Sequence, residues 1–146
     1  MAKYTCKGAE LSIDTGAVGT PDFTVVPQVE TLEMPQATTE ELEATTLDNT
    51  SGYREFLPSF KDGGEMTVTV VLDPALHVTP PESLWALFKA GTTHDMTVKL
   101  PSNPEFNWEG AGFIRDAGIQ TIGPDEILKL QAVIRISGAS DIVAAA

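Results

Sequence analysis

The chain has 146 residues, 42% of them hydrophobic, which is enough for one domain with a real core and argues against global disorder. Its net charge is −12, with nine acids against two bases in residues 1–50, and it lacks the basic stripe a nucleic-acid binder needs. A single cysteine, Cys6, excludes an internal disulfide and any multi-cysteine metal site, and no apolar run approaches the roughly 18 residues of a membrane span.

The first residues, Met1 to Cys6, have no apolar stretch resembling a signal peptide, so synthesis in the cytoplasm is expected. Residues 10–14 alternate as a short strand. Residues 16–22 form a glycine-rich turn. Residues 23–26 read as a strand that Pro27 ends, and residues 29–34 as another closed by Pro35. Residues 40–47 alternate, with Leu42, Ala44 and Thr46 on one face and Glu41, Glu43 and Thr45 on the other. A capped helical turn from Thr38 is the competing reading there.

A turn-rich loop over about residues 47–64 follows, mixing Tyr53, Phe56, Leu57 and Phe60 with Arg54, Glu55, Lys61 and Asp62. A loop of that length inside a small domain is uncommon and usually functional. Its apolar groups need something to cover them. Residues 66–72 then alternate as a strand, with Met66, Val68, Val70 and Leu72 on one face.

One helix is expected over about residues 79–90. Thr79 would be its N-cap, Pro80 its first residue, Glu82 the capping-box partner, and Gly91 its stop, with Lys89 near the negative end of the dipole. Leu84, Leu87 and Phe88 make its apolar stripe, with Trp85 beside them as core, and it should lie on an open face or edge of a sheet. Strands follow at 96–100, 105–115 and 119–122. In the second of these, Phe106, Trp108, Phe113 and Arg115 set the alternation, and Gly110 and Gly112 suggest a bulge or close packing. A turn at Gly123-Pro124-Asp125 leads to the longest strand, residues 126–137, with Leu128, Leu130, Ala132, Ile134 and Ile136 inward and Gly138 ending it. Residues 144–146 read as a loose tail. The sum is a mainly β chain of one domain, 1–146: a two-sheet β-sandwich or open barrel with one short flanking helix.

Chemistry is hard to find. His77 and His94 lack the further ligands and spacing of a zinc site. Glu40, Glu41 and Glu43 read as a charged strand face rather than a cation cluster. No nucleophile elbow, zinc-protease helix or Walker loop is present, so no catalytic, metal or cofactor-binding residue is assigned and an enzyme is not expected. Trp108 belongs to a core or a subunit interface; stacking on a sugar is the alternative.

Three runs carry a resemblance: Thr45-Thr46-Leu47-Asp48, Gly52-Tyr53-Arg54-Glu55-Phe56, and Lys61-Asp62-Gly63-Gly64-Glu65 followed by a strand. Together they resemble the major tail tube protein family of long-tailed bacteriophages with non-contractile tails, the siphophage tail tubes. The resemblance implies a two-sheet β-sandwich with a flanking helix. Its copies form hexameric rings whose strands join into an inner barrel, and stacked rings form the conduit through which DNA leaves the capsid. It further implies a virion location, partners in tape-measure, tail-tip initiator and tail terminator proteins, DNA that passes without specific binding, and no membrane. By that likeness Thr46, Leu47, Asp48, Tyr53, Arg54, Glu55, Phe56, Lys61, Asp62, Gly63 and Gly64 are assigned to contacts between subunits and rings, with residues near Met1–Gly8 added. Residues 6–22 depart from the family pattern, and the length leaves no room for the extra immunoglobulin-like domain of some members. The rivals are a tail terminator or contractile-system tube protein and, from another class, a carbohydrate-binding sandwich using Trp108 and Tyr53.

Overall fold

The computed structural model describes residues 3–16 and 20–145. Met1, Ala2, positions 17–19 of the expected glycine-rich turn, and Ala146 of the expected tail lie outside the described residues. In chain order the elements are β1 (Glu10–Asp14), β2 (Phe23–Val25), β3 (Val29–Glu33), β4 (Thr38–Glu43), β5 (Phe56–Asp62), β6 (Glu65–Val71), α1 (Pro74–His77), α2 (Leu84–Ala90), β7 (His94–Leu100), β8 (Phe106–Ile119), β9 (Lys129–Ile136) and β10 (Asp141–Ala144). The mainly β class, the open-barrel plan and the short helix are as expected.

One antiparallel sheet follows the order β2-β1-β7-β8-β9-β6-β3. β8 is its pivot. The first half of β8 pairs with β7, from Phe106 opposite Leu100 to Gly112 opposite His94. Its second half pairs with β9, from Gly112 opposite Ile136 to Ile119 opposite Leu130. β10 takes the flank of the first half that β9 leaves free, with Asp141 opposite Glu109. The two ends of the path, β2 and β3, are consecutive in the chain, so the sheet curls until its edges nearly meet. Val26 N–H donates to Leu11 O (2.9 Å), and Val71 N–H donates to Gln28 O (3.0 Å). Buried His77 ties this seam: its Nδ1 accepts from Asp73 N–H (3.1 Å), which leaves Nε2–H to donate to Pro27 O (2.8 Å).

The core is one cluster drawn from every part of the curl. Leu11 and Ile13 of β1, Met96 and Val98 of β7, and Trp108 and Ile114 of β8 meet Met66, Val68 and Val70 of β6 and alternate residues of β9. Leu84 and Leu87 of α2 close the cluster. Each such side chain contributes roughly 1.5–3 kcal/mol by leaving water, which is why strands with one face inward alternate so cleanly.

Several expectations need correction. The helix starts after Ser83, whose Oγ accepts from Ala86 N–H (3.3 Å), and neither Thr79 nor Glu82 caps it. Pro80 precedes Pro81, and a residue before proline is pushed out of the helical region. Lys89 in the last turn and Gly91 at φ 66° end the helix as expected. Trp85 is half-buried, its ring 5.5 Å from that of Phe88 at the rim of the core. Asp73 caps an unexpected single helical turn, α1.

β8 is one strand of 14 residues and is the longest; it runs on through Ile119, and residues 120–122, expected to belong to a separate strand, lie in none. Trp108, Gly112 and Ile114 face inward, whereas Phe113 and Arg115 do not. The irregularity falls between Ile114 and Asp116, not at the glycines. Gly110 is there for close packing: a Cβ would lie 2.7 Å from the Trp108 ring. Leu128 precedes β9 and is exposed. Ala144 belongs to β10 rather than to a loose tail.

A projecting arm as the candidate assembly site

The expected loop over residues 47–64 is largely a hairpin. β4 begins at Thr38, β5 occupies Phe56–Asp62, and the two pair only with each other. Leu42 lies opposite Leu57, and Glu43 opposite Phe56. An irregularity between Thr39 and Glu41 lets β5 carry one more residue than β4, so the face changes between Pro58 and Lys61. β4 ends at Glu43, so residues 44–47 belong to the tip and not to a strand. The competing helical reading from Thr38 is excluded.

The tip is built from short polar bonds. Ala44 N–H donates to Glu55 O (2.8 Å), and Glu55 N–H donates to Thr45 Oγ1 (2.8 Å). Asn49 Nδ2 donates to Tyr53 O (2.7 Å), and its Oδ1 accepts from Ser51 N–H (2.9 Å). Thr46 Oγ1 donates to the Asp48 carboxylate. Thr46 and Asp48 therefore shape the tip, while neighbouring apolar groups stand free of it. Leu47 is fully exposed, Tyr53 is 79% exposed, and Phe60 is 84% exposed. Phe56 and Leu57 are about half exposed. A concentration of uncovered apolar side chains on one projection marks an interaction surface. Arg54 and Lys61 make no ion pair among the described residues, while Arg115, Lys129 and Arg135 on the barrel each have a carboxylate partner.

The root of the arm is fixed within the subunit. Arg135 donates to Asp62 Oδ2 (2.7 Å), and Gly64 N–H donates to Asp62 Oδ1 (2.8 Å). The Arg135 hydrogen bond first, and the Gly64 amide second, hold the Asp62 carboxyl below its ordinary value. Gly64 has φ 82°, and a Cβ there would lie 2.6 Å from Gln36 O. A Cβ on Gly63 would lie 2.6 Å from Ile136 Cγ2. An open cleft of about 830 Å³ runs beside the root, lined by Phe60 and Lys61 of the arm, by Arg135, and by Ala139 and Ser140 of the turn after β9.

The eleven sequence-assigned positions thus divide. Thr46, Leu47, Asp48, Tyr53, Arg54 and Glu55 lie at the tip, Phe56 and Lys61 lie on β5, and Asp62, Gly63 and Gly64 form the root. Other candidates fall away. Trp108 is buried, which overturns its reading as a sugar platform. His94 bonds to Asp14 O and Thr92 Oγ1, far from the partners of His77 in the chain, and no group of three His, Cys, Asp or Glu side chains among the described residues could hold a metal. Glu40, Glu41 and Glu43 are exposed on β4. The sequence reading missed a second uncovered apolar group, Ile119, Ile122, Ile127 and Leu128, around the turn between β8 and β9. Its signal was present: Ile122 and Ile127 flank Gly123-Pro124-Asp125, and Ile127 alternates with the residues read as inward from Leu128 on, which turns it outward.

No protein-family model matches the sequence, and neither does any curated protein. The fold is another matter: it is that of chains from tail and injection machines. A chain in the tail of the empty gene transfer agent particle, solved with C6 symmetry, is 16% identical with a TM-score of 0.67, over 92% of this chain and 96% of that one. A chain in the sheath/tube terminator structure of the PVC extracellular contractile injection system is 10% identical with a TM-score of 0.74, over 99% of both. The SPP1 tail tube subunit is 11% identical with a TM-score of 0.66, over 94% of this chain and 77% of that one.

Proposed function

We propose that the chain is a structural subunit of a tail tube. Its copies close into hexameric rings, and the rings stack into the conduit for DNA ejection. The observation that carries the reading is the arm: a hairpin on a glycine root packed against Gln36 and Ile136, with tyrosine, phenylalanine and leucine side chains uncovered and two cations that make no ion pair among the described residues. Those are the groups that supply buried area and register in an interface between subunits. The end-to-end likeness of the fold to chains of tail machines supports it, and the C6 symmetry of the gene transfer agent tail supports the ring number.

The finer reading is a tube of a non-contractile, siphophage-type tail, located in the virion. The assigned positions from Thr46 to Gly64 make or shape the contacts, the residues near Met1–Gly8 add to them, and tape-measure, tail-tip and terminator proteins are the partners. The chain acts as one domain and without catalysis. Its acidity has a mechanical role: a basic channel would bind phosphates and hold the duplex, whereas an acidic wall lets it slide. A tail terminator is the second reading, favoured by the likeness to the sheath/tube terminator structure.

Negative-stain electron microscopy of the concentrated chain, with and without tail-tip complexes, separates these. Hollow tubes of stacked rings are expected. Single rings that never stack would transfer the assignment to the terminator, and a strict monomer under both conditions would overturn the assembly reading.

A further inference from the structure

The root of the arm holds a reactive backbone pair that its own hydrogen bonds restrain. Asp62 is the one aspartate in the sequence followed by glycine, and no asparagine is. A glycine nitrogen has no side chain beside it, so it reaches the carboxyl carbon of a preceding aspartate more easily than that of any other residue. Oδ1 of Asp62 accepts from the Gly64 N–H (2.8 Å), which turns the carboxyl toward the Asp62–Gly63 peptide rather than away from it. Two features oppose a reaction between them. Arg135 donates to Oδ2 (2.7 Å), and its charge favours the ionised carboxyl. A Cβ on Gly63 would lie 2.6 Å from Ile136 Cγ2, so the Gly63 backbone lies against the barrel with little room to rotate.

We propose that the Asp62–Gly63 bond is a site of spontaneous backbone isomerisation, and that Arg135 is the positioning residue that suppresses it. The step needs no enzyme and no oxidant. The Gly63 nitrogen gives its proton to solvent and bonds to Asp62 Cγ. The bond from Cγ to its hydroxyl breaks, and the hydroxyl leaves with a proton as water, which closes a succinimide ring. Water then adds to either ring carbonyl. Addition at Cγ restores aspartate. Addition at the Asp62 backbone carbonyl leaves isoaspartate, a free α-carboxylate with the main chain running on through Cβ and Cγ. The extra main-chain carbon falls between β5 and β6, where the arm joins the barrel. Only the protonated carboxyl can lose water, so Arg135 acts through the charge of Asp62, which it and the Gly64 amide hold ionised to lower pH than usual. The other charged groups nearby are Glu40 of β4 and Lys61 of β5 on the cleft walls, and Glu65 of β6, which lies opposite Arg135 and pairs with Arg115 of β8. The turn after β9 brings Gly138, Ala139 and Ser140, none of them charged.

The test incubates the full folded chain for weeks at a constant temperature below its melt. Isoaspartate is counted by methyl transfer from a labelled donor with an isoaspartyl methyltransferase and located by peptide mapping. Arg135→Gln should accumulate isoaspartate at position 62 several times faster than the unmodified chain. Arg135→Lys, which keeps a cation, should stay near the unmodified rate. Asp62→Glu should accumulate none there, because its longer side chain does not close this ring. The pH profile separates charge from loosening. The rate rises with pH until the carboxyl ionises and then levels off, so the break should come at lower pH in the unmodified chain than in Arg135→Gln. A root that was merely loosened would react faster without moving the break. If Arg135→Gln fails to fold, the unmodified chain at high salt takes its place, since salt screens an exposed pair. No isoaspartate at position 62 in the folded Arg135→Gln chain would overturn the site. A break at the same pH with and without the pair would overturn the part given to Arg135.

Discussion

The barrel and the arm use the same kinds of side chain to opposite ends. In the barrel, Met66, Val68 and Val70 on β6 are completely buried, and of the residues between them Thr67 is half-buried and Thr69 is buried as well. In the arm, which joins β6 through only Gly63 and Gly64, the apolar residues from Leu47 to Phe60 lie half to fully exposed. The free subunit is thus stabilised by one apolar set and leaves another available for association. Burying Leu47, Tyr53, Phe56, Leu57 and Phe60 completely would contribute roughly 8–15 kcal/mol at most, at about 1.5–3 kcal/mol each. Association costs about 4–15 kcal/mol before any surplus appears. On the proposed tube reading the arm alone would leave little surplus, so lateral contacts between barrels would have to add to it.

The largest expected effect is on the barrel. Trp108→Ala removes a side chain that is 7% exposed and packs over Gly110, so it should cost about 3–5 kcal/mol in a urea or thermal melt. An unchanged melt would mean that the core does not need this ring. Next comes the root, where the two regions meet. Gly64→Ala places a Cβ in a left-handed backbone and 2.6 Å from Gln36 O, so a loss of about 1–2 kcal/mol is expected from the backbone conformation alone, with more from the contact. Because Gln36 precedes the arm, this variant should also lower tube yield at temperatures where the barrel stays folded. Normal tube yield would show that the arm tolerates a shifted root.

The same contrast explains what the sequence revealed. β1, β6 and β9 were readable because one face of each is buried, and the alternation of Leu11 with Ile13 or of Leu130 through Ile136 records that face. β5 was not readable. Neither of its faces is covered by the chain itself, Pro58 sits in its middle, and the extra residue after Pro58 breaks what alternation there is. The helix start was obscured by Pro80 followed by Pro81, where a good capping pattern from Thr79 is overruled by backbone sterics. On β8, the true irregularity at Arg115 has no glycine to mark it, and of the glycines that suggested one, Gly110 makes room for the Trp108 ring and Gly112 for the close approach of the Arg135 backbone. The candidate site was found by resemblance and by misplaced apolar residues, and its division into tip, strand and root needed coordinates.

Substitutions on the arm should invert the pattern seen in the barrel. Tyr53→Ser with Phe60→Ser changes two side chains that are 79% and 84% exposed. The free subunit should melt within about 0.5 kcal/mol of the unmodified chain, as surface changes usually do. Tubes should be absent by electron microscopy, and sedimentation should show only the subunit or single rings. If the double variant instead unfolds, the arm is part of the fold; if it makes normal tubes, its aromatic groups are not the contact.

The smallest effect is at the junction itself. Arg135 and the Gly64 amide favour the charged form of Asp62, so the folded chain holds this carboxyl ionised to lower pH than the unfolded chain does. The stabilisation this gives is present above the ordinary carboxylate range and is lost as pH falls through the lowered folded value. Asp62 is an exposed group, so its share is small, and the informative quantity is the difference between two chains. From about pH 5 to about pH 2, the melting temperature of the unmodified chain should fall further than that of Asp62→Asn. Asp62→Asn keeps an oxygen for the Gly64 amide but offers Arg135 no charge. Parallel falls in the two chains would place the acid sensitivity at other carboxylates, with Asp14, held low by the Asp22 and Gly16 amides, the first to try. A steeper fall in the unmodified chain, accompanied by loss of tubes at a pH where the barrel remains folded, would mean that the Asp62–Arg135 pair sets the angle of the arm.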